Sequence, residues 1–325
     1  MPDILGRGEC GSHVTLLFSI DDDSEDLVSQ GSLGSGLCLE DGSEAIARGK
    51  EGSGELSIRF TEGEGDEGLY HEVGETLAEF IPELNGFDWE ITVKLKVPVG
   101  QGFGMSASGA VSASMALQRA MGLPYEESLR RSYLVAHLVD RKRSSGLGDV
   151  SALSAGGVEL RVSPGSPFHG HLLDTGPGRA IGWSNGMEVV LAWGDDSGKH
   201  TSTYIDDPGW RDSISSAGSM EMISLTEGSW DEGRWSELIE SSIRFSKISG
   251  LLKESRRATV LDMANQAIAE CGMSDSVVPL LCMLGESVVI VPRNLDEGGV
   301  GMGALLSSIE RGGLSGCITR VSDSS

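Results

Sequence analysis

The spacing of apolar positions changes several times along the chain, and each change marks an element. "HVTLLFSI" (His13 to Ile20) predicts a first strand, followed by a charged turn. "GELSIRFTEG" (Gly54 to Gly63) alternates as a strand does, and "WEITVKLKVPVG" (Trp89 to Gly100) puts Ile91, Val93, Leu95 and Val97 on one side. Between them, "YHEVGETLAEFI" (Tyr70 to Ile81) carries apolar residues near the helical period. An Ala- and Ser-rich helix is expected over about 106–121; "GLPYEES" breaks it, and a second follows over 125–141. "QGSLGSGLCLEDG" (Gln30 to Gly42) reads as a glycine-rich loop running into a short apolar stretch, and "SSGLGDVSALSAGGVELRVSPGSP" predicts loop, short helix and strand. From Gly176 a second unit is expected. It has a strand over 187–193, helices around 211–225, 234–252 and 255–270, a strand over 287–292, a helix around 302–311 and a short final strand. Strands grouped with helices in both halves indicate an α+β architecture in two domains, 1–175 and 176–325.

Charge narrows the function. The chain has 325 residues, 39% of them apolar, and a net charge of −24. It repels phosphate backbones and anionic lipid, which argues against nucleic acid or membrane as the main partner. No segment approaches the ~18 apolar residues of a membrane span, and the N-terminus has no basic start before an apolar run, so a cytoplasmic protein is expected. Five cysteines with no metal-type pairing suggest reduced thiols. If the ligand is anionic, the site must supply local positive character against the global field.

"PVGQGFGMSASGA" (Pro98 to Ala110) offers such a place. Gly100, Gly102 and Gly104 alternate where a strand gives way to a helix. Glycines there let backbone N–H groups face one concave side, and the helix start adds free N–H groups. The segment fits a phosphate cradle better than the alternative, a tight structural turn. It lacks the lysine of the P-loop and the G-x-G-x-x-G spacing of dinucleotide folds.

The same residues resemble P-x-x-x-G-L-G-S-S-A-A, the ATP-binding signature of the GHMP small-molecule kinases, with Phe103 for Leu and Met105 for the first Ser. Within that superfamily the chain looks most like the archaeal pantoate kinases. "GSLGSGLCLEDG", "AHLVD…SGLGDV", "GGVELRVSPGSP", "HTSTYIDDP" and "CMLGESVVI" all resemble segments of those enzymes, in the same order. The resemblance implies the GHMP fold, with the nucleotide site between two α/β sandwich domains, and a homodimer. The implied activity is ATP-dependent, Mg²⁺-requiring phosphorylation of the 4-hydroxyl of (R)-pantoate, for coenzyme A synthesis.

Site roles are implied residue by residue. Gly100, Gly102, Gly104, Ser106, Ala107 and Ser108 match the nucleotide loop. Ser106 and Asp140 match metal-holding positions, although Glu is usual at the latter. Asp149 matches the aspartate that orients or deprotonates the attacking hydroxyl, and with Ser106 and Asp140 it makes up the catalytic set. Ser32, His137, Arg161 and Thr203 match positions expected to hold pantoate. His13 matches a histidine whose role is less defined, and the superfamily's lysine in that region is absent. The glycine-rich C-terminal motif is reduced to "MLGE" (Met283 to Glu286), and "GGVGMGA" (Gly298 to Ala304) is taken as a structural turn.

The residues alone admit plainer roles. Ser106 suits a helix N-cap, Asp140 a solvated helix position, and His137 a core-facing residue bonded to a carbonyl. Asp149 would cap the short helix after it, and Arg161 would lie outward on its strand beside an acid. Three other functions stay open: another GHMP kinase (shikimate, mevalonate or homoserine type), a nucleotide-binding protein without catalysis, and a dinucleotide oxidoreductase.

Overall fold

The computed structural model describes residues 3–194, 202–295 and 301–324. In chain order the first half comprises β1 (Ile4–Asp21), β2 (Gly31–Glu51), β3 (Leu56–Glu62), α1 (Glu67–Phe80), β4 (Phe87–Leu95), α2 (Met105–Ala120), α3 (Tyr125–Lys142), α4 (Asp149–Ala155) and β5 (Val158–Ser163). Three short strands follow: β6 (Phe168–His169), β7 (Asp174–Thr175) and β8 (Arg179–Trp183). The second half comprises β9 (Glu188–Trp193), α5 (Ser202–Ile205), α6 (Pro208–Leu225), α7 (Trp235–Ile248), α8 (Ser255–Glu270), β10 (Val277–Leu281), β11 (Ser287–Pro292), α9 (Met302–Arg311) and β12 (Ser315–Arg320).

β3, β4, β2, β5 and β8 form one sheet in that order, with β1 also paired to β2; the second large sheet runs β10-β11-β9-β12. The first sheet therefore reaches Trp183, past residue 175.

Residues 12–19 of β1 are buried without a break. α2 packs on this strand, and so do α6 and α7 from the second half. A strand covered on both faces carries a continuous apolar run instead of an alternating one, which accounts for Val14, Leu16, Leu17 and Phe18. β1 is thus the shared centre of the molecule. α2 is buried along almost its whole length, and its small residues permit that. Ser43 on β2 bonds the hydroxyls of Ser108 and Ser112 at 2.8 and 2.9 Å, so these buried hydroxyls satisfy one another.

The expected loop at Gln30–Gly42 is a correction. Gly31 begins the 21-residue strand β2. Its glycines answer to close approach. A methyl at Gly34 would stand 2.5 Å from an Arg161 guanidinium nitrogen, and one at Gly36 would stand 2.7 Å from His13 Nε2 and against the backbone carbonyl of Val14. Gly36→Ala should accordingly destabilise the fold by about 2 kcal/mol or more, because backbone atoms cannot yield. Gly303→Ala, at a site with open space around it, should be neutral or stabilising by up to about 1 kcal/mol. Urea unfolding of both variants checks the contrast; equal effects would contradict it.

Candidate functional site

β4 ends at Leu95 and α2 begins at Met105, so the glycine loop joins a strand to a helix as expected. Gly100, Gly102 and Gly104 all have positive φ, at 76°, 78° and 60°, a conformation open to glycine and strained for other residues. Gly104 is the helix N-cap and supplies no side-chain cap, so Ser106 does not have the N-cap place. The first helical bond runs from Ser108 N–H to Gly104 C=O at 3.1 Å. The amides before it, at Met105, Ser106 and Ala107, belong to the turn whose N–H groups have no partner within a helix. Gly102 lies against the second half: a methyl there would be 2.7 Å from the amide nitrogen of Gly285. Ser287 Oγ donates to Gln101 C=O at 2.5 Å. The short "MLGE" segment therefore braces the loop.

A cavity of about 360 Å³ opens over this turn. It is lined by Leu69, Tyr70 and Val99, by Gly100 to Ser106 except Gln101, and by residues 145–149, Ser32 and Arg161. Met283 and Leu284 line it from the second half. Two cations line it, Arg143 and Arg161; each has an acidic partner, Asp66 and Glu159 respectively.

Asp140 and Asp149 converge beside the turn. A methyl at Gly146 would be 2.7 Å from Asp140 Oδ2 and 3.1 Å from Asp149 Oδ2. Asp140 is 3% exposed, not solvated. Its Oδ1 accepts from Ser145 Oγ at 2.6 Å, Ser106 lies near enough to favour its charged form, and Oδ2 is buried without a hydrogen-bond donor. Burial pushes its carboxyl up to about 7, aided by the nearby Asp149 charge and opposed by the two serines and Arg141. An orphaned carboxylate oxygen facing a second carboxylate and a serine fits a hard cation. Such an ion would complete its shell with water or ligand oxygens. Among the described residues no cluster of three or more His, Cys, Asp or Glu offers a closed metal site.

Asp149 is the first residue of α4, and Gly148 is that helix's N-cap. Its Oδ1 accepts from His13 Nδ1 at 2.6 Å. The other ring nitrogen, Nε2, is 3.1 Å from Glu159 Oε1. Side-chain exposure is 0% for His13 and Glu159 and 19% for Asp149, so the chain of contacts opens to the cavity at Asp149. Burial would raise the Asp149 pKa, but the His13 bond and the charges of His13 and Arg161 outweigh it and hold the carboxyl below its ordinary value. Arg161 is 1% exposed, which corrects any outward placement on β5. It donates to Ser32 Oγ at 3.0 Å and to Leu17 C=O at 3.5 Å, while its Nε makes no hydrogen bond. A guanidinium with donors to spare in the lining of a cavity suits a carboxylate.

Not every expected residue gathers here. His137 is buried and bonds Leu27 C=O through Nε2 at 2.9 Å, and burial pushes its pKa down to about 4; it secures the turn that leads into Ser32 and does not line the cavity. Ala107 is fully buried, and the Ser108 hydroxyl is taken by Ser43 and by Cys10 C=O at 3.0 Å. Thr203 is exposed on α5 and does not line the cavity. Its neighbour Asp206 acts on Arg141 and Arg211, which both contact Asp22. Of the "GGVGMGA" segment, 298–300 lie outside the described residues; Gly301 precedes α9. Sequence reasoning missed Glu159 altogether and left His13 without partners.

Residues 70–157 match the GHMP kinases N terminal domain. A pantoate kinase of Thermococcus kodakarensis is 34% identical over 166 residues, which are 50% of this chain and 54% of that protein. A pantoate kinase of Methanospirillum hungatei is 28% identical over 159 residues, 48% of this chain and 52% of that protein. The chain thus spans about half the length of the curated relatives it matches. Among solved structures, a phosphotransferase related to the CoA biosynthesis pathway superposes with a TM-score of 0.72 at 23% identity, covering 99% of this chain and 98% of that one. Residues 70–157 therefore carry the GHMP kinases N terminal domain, within a chain that has the GHMP kinase fold.

Proposed function

We propose that the protein is an ATP-dependent kinase that phosphorylates the 4-hydroxyl of (R)-pantoate, in archaeal coenzyme A synthesis. One observation carries the reading: a single cavity joins the uncapped start of α2 to Asp149 and Arg161. An anion-binding turn, a carboxylate and a buried guanidinium are the parts needed to place a phosphate donor beside a hydroxy acid. Similarity to proteins named pantoate kinase supports the choice of acceptor.

In this reading the amides from Gly100 to Ser106 hold the phosphate chain, and the apolar lining of Leu69, Tyr70 and Val99 takes the base. Arg161 and Ser32 hold the acceptor's carboxylate, and His137 acts through the turn it secures. Asp149 accepts the proton of the attacking hydroxyl, and its lowered pKa keeps it ionised. Ser106 and Asp140 would hold Mg²⁺, which supplies charge neutralisation to the transferred phosphoryl group.

Two outcomes test this. With Mg·ATP and a panel of pantoate, shikimate, mevalonate and homoserine, ADP release should be fastest with pantoate. Asp149→Asn should leave ATP binding nearly intact and lower kcat by roughly 10²-fold or more. Preference for another acceptor overturns the substrate, and no ADP with any acceptor overturns the kinase.

Asp140 gives a separate check. Its pKa is higher folded than unfolded, so the folded state binds protons more tightly, and stability falls as pH rises from about 4 towards 7. In metal-free buffer Asp140→Asn should raise Tm at pH 8 by about 2 °C or more, with the gain shrinking towards pH 4. Mg²⁺ with nucleotide should stabilise the wild type more than the variant. A lower Tm for the variant at pH 8 would contradict the placement of a buried carboxylate whose Oδ2 has no donor.

A further inference from the structure

The buried groups behind Asp149 do more than fill space. Both ring nitrogens of His13 lie within hydrogen-bond distance of carboxylate oxygens, 2.6 Å to Asp149 and 3.1 Å to Glu159. A neutral imidazole has one N–H, so its bare nitrogen would face a carboxylate lone pair. With both carboxyls ionised, two bonds of this kind require the imidazolium. Burial alone would keep His13 neutral, but the two carboxylates outweigh it and raise its pKa. The remaining neighbours bring no competing charge. Thr15 Oγ1 is 3.5 Å away, Gly36 has no side chain, the His13 backbone N–H goes to Phe103 C=O, and the Cys38 thiol is kept neutral by a pKa pushed well up through burial.

Glu159 faces two cations. Oε1 meets His13, and Oε2 is 3.4 Å from Arg161 Nε without a hydrogen bond. The order of charges from the acceptor end to the hydroxyl end is Arg161 (+), Glu159 (−), His13 (+), Asp149 (−). They are supplied by β5, β1 and α4; His13 and Glu159 are fully enclosed, whereas Arg161 and Asp149 line the cavity.

We propose that His13 and Glu159 form a relay coupling Arg161 to Asp149, so that an acceptor carboxylate seated at Arg161 makes Asp149 a better proton acceptor. The relay rests on the kinase reading and adds two positioning residues to it. Arg161 is loosely paired with Glu159, so an incoming carboxylate competes for it. Glu159 then leans more on His13, His13 gives less to Asp149, and Asp149 becomes more basic when the hydroxyl has arrived. Without acceptor, Asp149 stays tied to His13, a poor base for activating water. The lysine expected in this region is absent, and the His13 charge stands in contact with the carboxylate that would use it.

Kinetics and NMR test this on the full chain. Glu159→Gln and His13→Asn should each lower kcat by at least about tenfold, within the roughly 10²–10⁴ that general base catalysis contributes, with KM for ATP unchanged. The double variant should be no slower than His13→Asn, because the two act as one unit. Glu159→Asp should restore part of the loss. In wild type at pH 7.5, side-chain ¹⁵N spectra of His13 should show both ring nitrogens protonated, a readout that needs no variant to fold. Additive losses, or a neutral His13 ring, overturn the relay while leaving an active kinase in place. A wild type that releases no ADP with any acceptor overturns the kinase reading, and the relay with it.

Discussion

On the proposed kinase reading, a chain of net charge −24 must seat two anions in one cavity. The backbone is what makes this feasible. Three glycines with positive φ turn the chain so that α2 starts without a side-chain cap, and peptide N–H groups remain to meet negative charge. The site therefore needs little lysine, and the two cations lining it, Arg143 and Arg161, already have acidic partners. The cavity over that turn is lined by carboxylates, two arginines and apolar residues together.

The turn depends on both halves of the molecule. Gly102 is pressed against Gly285, and Ser287 bonds the carbonyl of Gln101. Arg257, 1% exposed, donates to the carbonyls of Leu284 at 2.7 Å and Gly285 at 2.8 Å, and so fixes the bracing segment from α8. Beneath, β1 carries His13 and is packed by helices of both halves. A bulkier residue at these contacts would disturb the cradle from a distance, because packed backbone does not relax as side chains do.

Much of this was legible in the sequence. The 3.6 period gave α1 within a few residues, and the Ala/Ser composition gave α2 and its tight packing. The glycine run between strand and helix marked the loop that lines the cavity. What failed had physical causes. Glycine serves loops and close approaches alike, so β2 was taken for a loop over 30–42 although Gly34 and Gly36 make room for Arg161 and His13. β10 contains Pro279, which weakens any strand pattern, and it is tolerated because β10 is an edge strand. The partnership of His13 with Glu159 spans 146 residues of chain and leaves no local trace. Ser108 matched a motif by position, yet its hydroxyl is turned inward to Ser43, which only packing decides.

The account stands or falls on where a triphosphate meets the chain. Backbone amide NMR of the deuterated protein, titrated with Mg·ATP, reads this directly. The account predicts that the largest shifts fall on the amides of Gly100 to Ala107, with a smaller group at residues 145–149. Shifts that leave the turn untouched and gather elsewhere would contradict it.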